Sequence, residues 1–476
     1  MPRRFAKDPV VDRSLRHSVR DGIAYSVMAG AGETYFSAFA IFFKATTTQI
    51  GLLASLPPLV SSLAQLFSAW LGHKQLSRKQ IILSGAVMQA FLWLPLMLLP
   101  AMFREAAVAI IIGCIVLYHA AGSVVAPQWS SLMGDLVPEK RRGRYFALRT
   151  RYTSVATFLA LITAGLVLHF FQKYELALYG FMGIFSLAAL ARWVSVYHLA
   201  AMVEPQHATP ALQLLFKEHW WLHIKQSSFL RFSVFFALMQ WAVAIGSPFF
   251  AVYMLRDLHF SYVEFMSISA ASVLMQFLTL NGWGRVSDVF GNRLILAVTG
   301  FAIPVIPVMW LFSSNLWYLL GVQLLSGLMW AGFSLSAGNY LYDLIPPRRR
   351  VTFLSFHNVF TNLGTFFGAL LGGYLGAVMP TTLTLGGHSM HWHSVLLSVF
   401  LISSAARLLV ALVFVPGLKE VRTVRPMTAT QLIFRATRFN ALSGMIYDII
   451  AAGKRARDAK DANDVKDVKK TVQWVD

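Results

Sequence analysis

The sequence predicts an all-α membrane protein of twelve transmembrane helices, built as two six-helix pseudo-repeats. Three observations predict it. The 476 residues are 57% hydrophobic and 13% charged, with a mean hydropathy of +0.58, too apolar and too sparsely charged for a water-soluble domain. The apolar residues fall in runs of about 20, the length a helix needs to cross roughly 30 Å of hydrocarbon. A stretch also recurs half a chain apart: MGDLVPEKRRGRYFALRTR from Met133 and LYDLIPPRRRVTFL from Leu341 align Asp135, Pro138, Arg142 and Phe146 with Asp343, Pro346, Arg350 and Leu354. So long a period marks a duplicated membrane domain rather than a solenoid.

The runs divide into segments one to twelve at 22–43, 49–71, 81–102, 107–133, 152–171, 177–199, 230–253, 262–283, 294–313, 316–342, 353–378 and 393–415. Helices are expected because backbone groups in lipid must bond within the segment, and the runs lack the alternation of barrel strands. The layout is a cytoplasmic N-terminal segment 1–21, a six-helix half 22–199, a central cytoplasmic loop 200–228, a second half 229–416 and a cytoplasmic tail 417–476. Ala38-Phe39-Ala40 has the small-x-small look of a cleavage site. It is set aside, because the apolar run continues past it and carries Glu33 in its middle.

Charge placement tests the count. Basic clusters at the N-terminus, Lys74/Arg78/Lys79, Lys140 to Arg151, Lys217/Lys225, Arg285/Arg293, Arg348 to Arg350 and the tail all land on one side, while the opposite loops hold Lys44, Arg104, Lys173 and Arg256. The positive-inside bias therefore puts both termini in the cytoplasm of a multi-pass inner-membrane protein. The net charge of +20 sits in these gaps rather than on a folded polar face, so nucleic acid is not an expected partner. Cys114 is the single cysteine, which excludes an intramolecular disulfide.

Two cytoplasmic pieces have their own character. LLFKEHWWLHIKQ in the central loop reads as a short surface helix with Trp220 and Trp221 at headgroup level. In the tail, Leu432, Ile433, Ala436, Phe439, Leu442, Ile446 and Ile450 recur near helical spacing beside Arg435 and Arg438, an amphipathic helix suited to anionic lipid headgroups. The final KRARDAKDANDVKDVKK run reads as a solvated helix or disorder. The expected state is a monomer.

Six plus six segments with duplicated basic turns resemble the major facilitator superfamily, and the motifs agree over about residues 20 to 416. Gly284-Arg-Val-Ser-Asp288-Val-Phe-Gly291-Asn-Arg293 is similar to that family's G-x-x-x-D-x-x-G-x-R loop, and Pro138-Glu139-Lys-Arg-Arg142-Gly143 to its P-E-x-x-R-G pattern. The loop between segments two and three, Gly72-His-Lys-Gln-Leu-Ser-Arg78-Lys79, lacks the aspartate. The glycine-proline motif of drug/proton antiporters is missing from segment five, so the resemblance does not extend to drug export. Glycines let these turns run tightly, and arginines can hold an acidic group across the interface between halves as a reversible latch. Asp288 is expected to meet Arg149 or Arg151 at the start of segment five, with Asp135 and Asp343 at the cytoplasmic ends of segments four and ten. The alternative is that these charges set topology and cap helices.

The resemblance also implies that segments one, four, seven and ten line a central cavity. Their own residues offer small or polar stripes: Ser26, Ala29, Gly30, Glu33, Ser37 and Ala40; His119, Gly122, Ser123, Ala126 and Ser130; Ser233, Ala237, Gln240, Ala244, Ser247 and Ala251; Gly327, Trp330, Ala331, Ser334 and Gly338. Close helix packing explains the glycines and alanines. It does not explain Glu33, the acidic residue nearest the middle of any segment, or His119 at similar depth. An intramembrane ionisable group is a functional candidate: Glu33 would carry a proton or contact substrate, the alternative being a lock between helices. Gln240 and Trp330 are candidate neutral contacts. Arg192 and Arg407 occupy matching places in segments six and twelve and read as snorkelling to phosphate. Gly364, Gly368, Gly372 and Gly376 in segment eleven call for a very close helix neighbour, a surface on which the halves could slide.

The reading is a secondary active transporter for a small or medium organic solute, working by alternating access and driven by a proton gradient through Glu33. No cofactor is expected, since no G-x-x-x-x-G-K-[ST] phosphate loop is present. The alternatives are a proton-independent uniporter or lipid flippase, or a membrane sensor with the tail as its output. A membrane enzyme would need clustered acid, base or metal ligands, and the sequence offers none.

Overall fold

The computed structural model describes residues 5–73, 77–138, 142–204, 228–345, 350–380, 382–385, 388–391 and 393–420. Within them nine helices are long and apolar enough to cross a membrane, covering segments three to ten and twelve. Helices Pro9–Ala31, Thr47–His73 and Arg350–Val378 occupy segments one, two and eleven and pack into the same bundle. The chain's helical boundaries follow local chemistry. The helix that leads into segment one starts at Pro9, well before residue 22, because Asp8 accepts from the Val10 N–H as N-cap and proline suits the first helical position. Ser77 with Gln80 and Ser261 with Glu264 form capping boxes at the starts of segments three and eight. Between segments eleven and twelve a short antiparallel hairpin pairs Thr382–Leu385 with His388–His391, an addition to the all-helical expectation. The central loop 205–227 and the tail from 421, with both expected amphipathic helices, lie outside the described residues.

Segments one and seven are broken where continuous helices were expected. The first helix ends at Ala31, Glu33–Tyr35 form a 3-10 turn, and Phe36–Phe42 resume. Segment seven ends at Gly246, resumes over Phe249–Val252 and widens into a π-type turn over Tyr253–Asp257. Both breaks have a glycine under a neighbour: a Cβ at Gly32 would lie 2.2 Å from Trp93 and 2.9 Å from Ala188 in segment six, and one at Gly246 would lie 3.0 Å from Ser403 in segment twelve. The repeat extends to turns, since Lys44 and His259, which follow segments one and seven, both have left-handed backbones with φ of 61° and 52°.

Helix pairing obeys the same pseudo-symmetry. Segment one packs on five and six, two on four, and three on four and six; seven packs on eleven and twelve, eight on ten, and nine on ten and twelve. The halves meet along the equivalent pairs two–eleven and five–eight. One apolar core, from Met28 to Phe400, joins both halves at the end away from the basic turns. At the basic end each half keeps its own core, around Leu15, Tyr145 and Leu132 in one and Phe232, Trp283 and Tyr340 in the other. Across the joined end Arg256 Nη1 donates to Thr47 Oγ1 at 3.1 Å, and deeper in the two–eleven interface Asn362 Nδ2 donates to Ser62 Oγ at 2.7 Å.

The segment-eleven glycines do meet a close neighbour. Added Cβ atoms on Gly364, Gly368 and Gly372 would lie 2.4, 2.1 and 2.1 Å from the carbonyl oxygens of Ala237, Trp241 and Ile245. That ladder binds segment seven of the same half, so it is not a sliding surface between halves. The contact across halves falls to Gly373 on Gly51 and Gly376 on Thr47.

Candidate functional site

Glu33 is presented by the break in segment one. The turn ends the helical hydrogen-bond ladder beneath Glu33, which is half-buried with the exposed Thr34 beside it. Oε1 accepts a hydrogen bond from the hydroxyl of Tyr118 in segment four at 2.6 Å. Tyr118 is 1% exposed, its hydroxyl lies 3.2 Å from Met28 Sδ, and its ring is fixed edge-on by Phe36, Trp93 and His119. His119 is half-buried, with its ring against Phe36 and Tyr118. Glu33 therefore takes its hydrogen bond from the neighbouring tyrosine rather than sharing one with His119.

Behind this pair runs a buried polar chain through the first half. Gln89 Nε2 donates to the Tyr118 carbonyl at 3.1 Å, and Gln89 Oε1 accepts from Arg192 Nη2 at 2.7 Å. Arg192 Nη1 donates to Ser195 Oγ at 2.8 Å, which donates to Asp21 Oδ1 at 2.7 Å. Arg149 Nη2 closes the chain 3.6 Å from Asp21 Oδ2. Gly122 exists for this chain, since its Cβ would lie 2.4 Å from Gln89 Nε2. Arg192 and Arg407 are each 2% exposed, which corrects the snorkelling reading. Arg192 is held by Gln89 and Ser195 and lies 5.1 Å over the Tyr25 ring, whereas Arg407 makes one 3.3 Å hydrogen bond, to the Val243 carbonyl.

The other cavity candidates divide. Gln240 and Trp330 are half-buried, Ser247 and Ser334 exposed, and none of the four side chains makes a hydrogen bond to the described residues. Gln240 Oε1 is itself buried and unpaired. Ser247 lies in the break of segment seven, the counterpart of Glu33. Several stripe residues are packing surface instead. Gly30 abuts the Thr157 carbonyl, Gly327 the Ser272 carbonyl, and Ser233 is fully buried beside His357 Nδ1 at 3.2 Å. On segment one, Tyr25 and Thr34 are exposed where Ser26 and Ala40 are buried, so the stripe does not mark the accessible face.

Asp135 and Asp343 have partners within their own halves. Asp135 accepts from Arg78 Nη1 at 2.7 Å, and Arg78 also meets Glu204 at 3.2 Å. Asp343 accepts from Asn292 Nδ2 at 3.2 Å, Asn292 standing where Arg78 stands in the first half. Arg149 is turned inward: it donates to the Ser18 carbonyl at 3.2 Å, stacks 4.5 Å over Trp129 and fills the space beside Gly22. Its described partner is thus Asp21. Arg151 is exposed on the same helix. Gly291 does need its freedom, with φ of 82° between segments eight and nine, but Gly284 lies in a helix with its nearest neighbour, Leu335, at 4.0 Å. Arg293 is exposed, its N–H donating to Glu420 at 2.9 Å. Glu139 lies outside the described residues, and Asp288 and Arg142 are described by their helical backbone alone.

A family model, the Major Facilitator Superfamily, matches residues 22–250 and 230–453, one match to each half. The chain belongs to the Major Facilitator Superfamily. Among curated relatives, an uncharacterized MFS-type transporter, YqjV of Bacillus subtilis, is 28% identical over 30% of this chain and 34% of its own. The class B tetracycline resistance protein of Escherichia coli is 29% identical over 25% of this chain and 29% of its own. The chain thus matches about a third of the length of each. The nucleoside transporter NupG superposes with a TM-score of 0.63 at 14% identity, over 86% of this chain and 100% of that one, a likeness of fold. This superfamily member is a multi-pass membrane protein, and the polar chain from Glu33 to Arg149 lies inside its first half.

Sequence reasoning missed Tyr118, Gln89, Ser195 and Asp21. Asp21 stands at the last residue before the first apolar run, and Gln89 within segment three; a polar group beside or inside a lipid-length run was the available signal.

Proposed function

We propose that the protein is a proton-coupled secondary transporter that moves a small or medium organic solute across the cytoplasmic membrane by alternating access. In this reading the twelve segments cross the bilayer, both termini are cytoplasmic, and the two halves rock about the mid-depth breaks of segments one and seven. The joined core away from the basic turns and the two separate cores beside them correspond to a state open to the cytoplasm.

One observation carries the reading: Glu33 lies at a helix break, with Oε1 held by Tyr118 and Oε2 without a donor among the described residues. A mid-depth carboxylate is costly unless protonated or paired, so a group with one oxygen fixed and one open is suited to alternate between a proton and another ligand. Tyr118 holds the carboxylate in place through that exchange. The chain from Gln89 to Arg149 ties the same point to the base of segment five, where the basic turn begins.

The test has two steps. A thermal-shift screen of the purified protein against metabolites identifies a solute, because a ligand of the native state raises stability by RT ln(1 + [L]/Kd). That solute is then followed in proteoliposomes. Glu33→Gln is expected to abolish gradient-driven accumulation while retaining exchange; undiminished uphill uptake by this variant would falsify the proposal.

A further inference from the structure

The first helix and segment six are joined by a ladder of polar contacts that runs to the basic end. Ser195 Oγ donates to Asp21 Oδ1, and one turn nearer that end His17 Nδ1 and His198 Nδ1 lie 3.0 Å apart. Beyond them the Val203 N–H donates to Ser14 Oγ at 3.1 Å. Both imidazoles are half-buried. They share one hydrogen between their Nδ1 atoms, so the ring that accepts there carries its own proton at Nε2. The pair thus keeps an N–H donor to offer.

Arg13 and Arg20 flank His17 four residues before and three after, on one face of the helix. Both are exposed, and neither makes a hydrogen bond or ion pair among the described residues. Burial, then the charges of Arg20 and Arg13, hold the His17 imidazole below its usual range, and Arg20 acts on His198 as well. The neighbouring carboxylates are committed elsewhere: Asp12 to Arg16, Asp21 to Ser195 and Arg149, Glu204 to Arg78. Beside this uncompensated charge the surface turns apolar. Leu190, Val194 and Tyr197, on one face of segment six, are 65%, 50% and 67% exposed, with Val194 one turn before His198. An acyl chain lying along Leu190 and Val194 brings its headgroup to Tyr197, His198 and Arg20, and tyrosine suits that depth. Basic side chains there attract anionic headgroups by about 1 kcal/mol each.

We propose that the basic end of the seam between the first helix and segment six binds an anionic phospholipid, its phosphate on Arg13, Arg20 and the imidazole pair and its acyl chains along Leu190 and Val194. This rests on the reading that the basic turns face the cytoplasm, and not on proton coupling at Glu33. It carries a consequence for pH. An anion on the arginines removes the repulsion that keeps a further proton off the imidazoles, so by linkage acid strengthens headgroup binding. The titratable and charged groups around the pair are Arg13, Arg16, Arg20, Asp12 and Asp21 on the first helix, Tyr197 on segment six, Tyr145 and Arg149 at the start of segment five, and Glu204 after segment six.

The experiment is isothermal titration of the purified full-length protein in detergent, at about pH 6 and about pH 8 on either side of the imidazole range. The probes are dioctanoyl phosphatidylglycerol, dioctanoyl phosphatidylcholine and the soluble headgroup glycerophosphoglycerol. Phosphatidylglycerol is expected to bind more tightly than phosphatidylcholine and to lose about tenfold or more in affinity in Arg13→Gln/Arg20→Gln. Arg13→Lys/Arg20→Lys keeps the charge and should keep the binding. Arg104→Gln/Lys173→Gln, an equal loss of charge at the other end of the molecule, should change nothing. Binding to wild type should tighten in acid, and that response should vanish in His17→Gln/His198→Gln. Equal affinity for the two lipids, full binding by Arg13→Gln/Arg20→Gln, or a pH response that survives loss of both histidines overturns the site. Glycerophosphoglycerol binding as tightly as the lipid overturns the lipid and leaves a site for a free phosphodiester. The titration does not depend on which side of the membrane the site faces, so its failure leaves the topology standing. Labelling of Arg13→Cys in a Cys114→Ser background by an impermeant thiol reagent on whole cells tests the topology separately, and reaction from outside would overturn it.

Discussion

The Tyr118 hydroxyl donates to Glu33 Oε1 over 2.6 Å, joining segment four to the broken turn of segment one. Nothing in the sequence spacing pairs these residues, which lie 85 positions apart. The turn at Glu33–Tyr35 is what swings the carboxylate toward segment four.

Tyr118→Phe removes this bond and leaves the ring packed. Hydrogen bonds to charged groups contribute about 1.5–3 kcal/mol, so a double-mutant cycle with Glu33→Ala should return a coupling energy of that size in denaturant unfolding. Additive effects would mean that the two side chains do not interact.

The two buried arginines should respond oppositely to the same change. Arg192→Met leaves Asp21 short of a bridged cation and Gln89 short of a donor, and breaking such a buried network costs about 3–5 kcal/mol. Arg407→Met removes a buried cation whose Nε has no partner and whose one hydrogen bond is long, so it should be neutral or stabilising. Thermal unfolding of the two variants side by side checks the ordering.

A methyl group on the segment-eleven ladder has nowhere to go. Gly368→Ala would place Cβ 2.1 Å from the Trp241 carbonyl oxygen, forcing segments seven and eleven apart, whereas Gly183→Ala meets nothing within 4 Å. Overpacking of this kind costs about 1–3 kcal/mol. The melting temperature of Gly368→Ala should fall while that of Gly183→Ala stays at or above wild type.

At the basic end, burial pushes the Asp12 carboxyl up. The N–H groups of Phe5 and Ala6 and the Arg16 guanidinium outweigh it and hold the carboxyl below its usual range. A lowered folded-state value means the stabilisation is present above the unfolded value of about 3.9 and disappears as pH falls through the folded one. Phe5, which packs edge-on to Tyr145 at 5.3 Å, should therefore stay docked at neutral pH and release only in acid. In Asp12→Asn, amide hydrogen exchange at Phe5 and Ala6 should be fast at neutral pH; protection equal to wild type would show that Asp12 does not hold the segment.

Much of the architecture was legible because lipid imposes a length on helices and because the chain repeats itself. Asp135 and Asp343 marked equivalent helix ends, and Glu33 drew attention as a carboxylate in an apolar run. The breaks at Gly32 and Gly246 were not legible, because each depends on what the other helices press against the glycine: Trp93 in one case, Ser403 in the other. Arg192 and Arg407 looked alike in sequence. Their difference lies in Gln89 on segment three and Ser195 on segment six, which hold Arg192, with Asp21 behind Ser195, while Arg407 has a lone carbonyl. The small-residue stripes misled for a related reason, since a glycine facing a cavity and a glycine facing a carbonyl have the same spacing.

The most direct measurement of the central claim is the distance between halves at the basic end as a function of pH, taken without substrate. Nitroxide labels at Gly134→Cys and Gly338→Cys, where an added Cβ meets nothing within 4 Å, in a Cys114→Ser background, report it by double electron–electron resonance. If Glu33 governs alternation, the distance distribution of the wild type shifts with pH and that of Glu33→Gln stays in one state at every pH. A Glu33→Gln distribution that shifts with pH as the wild type does would contradict the account.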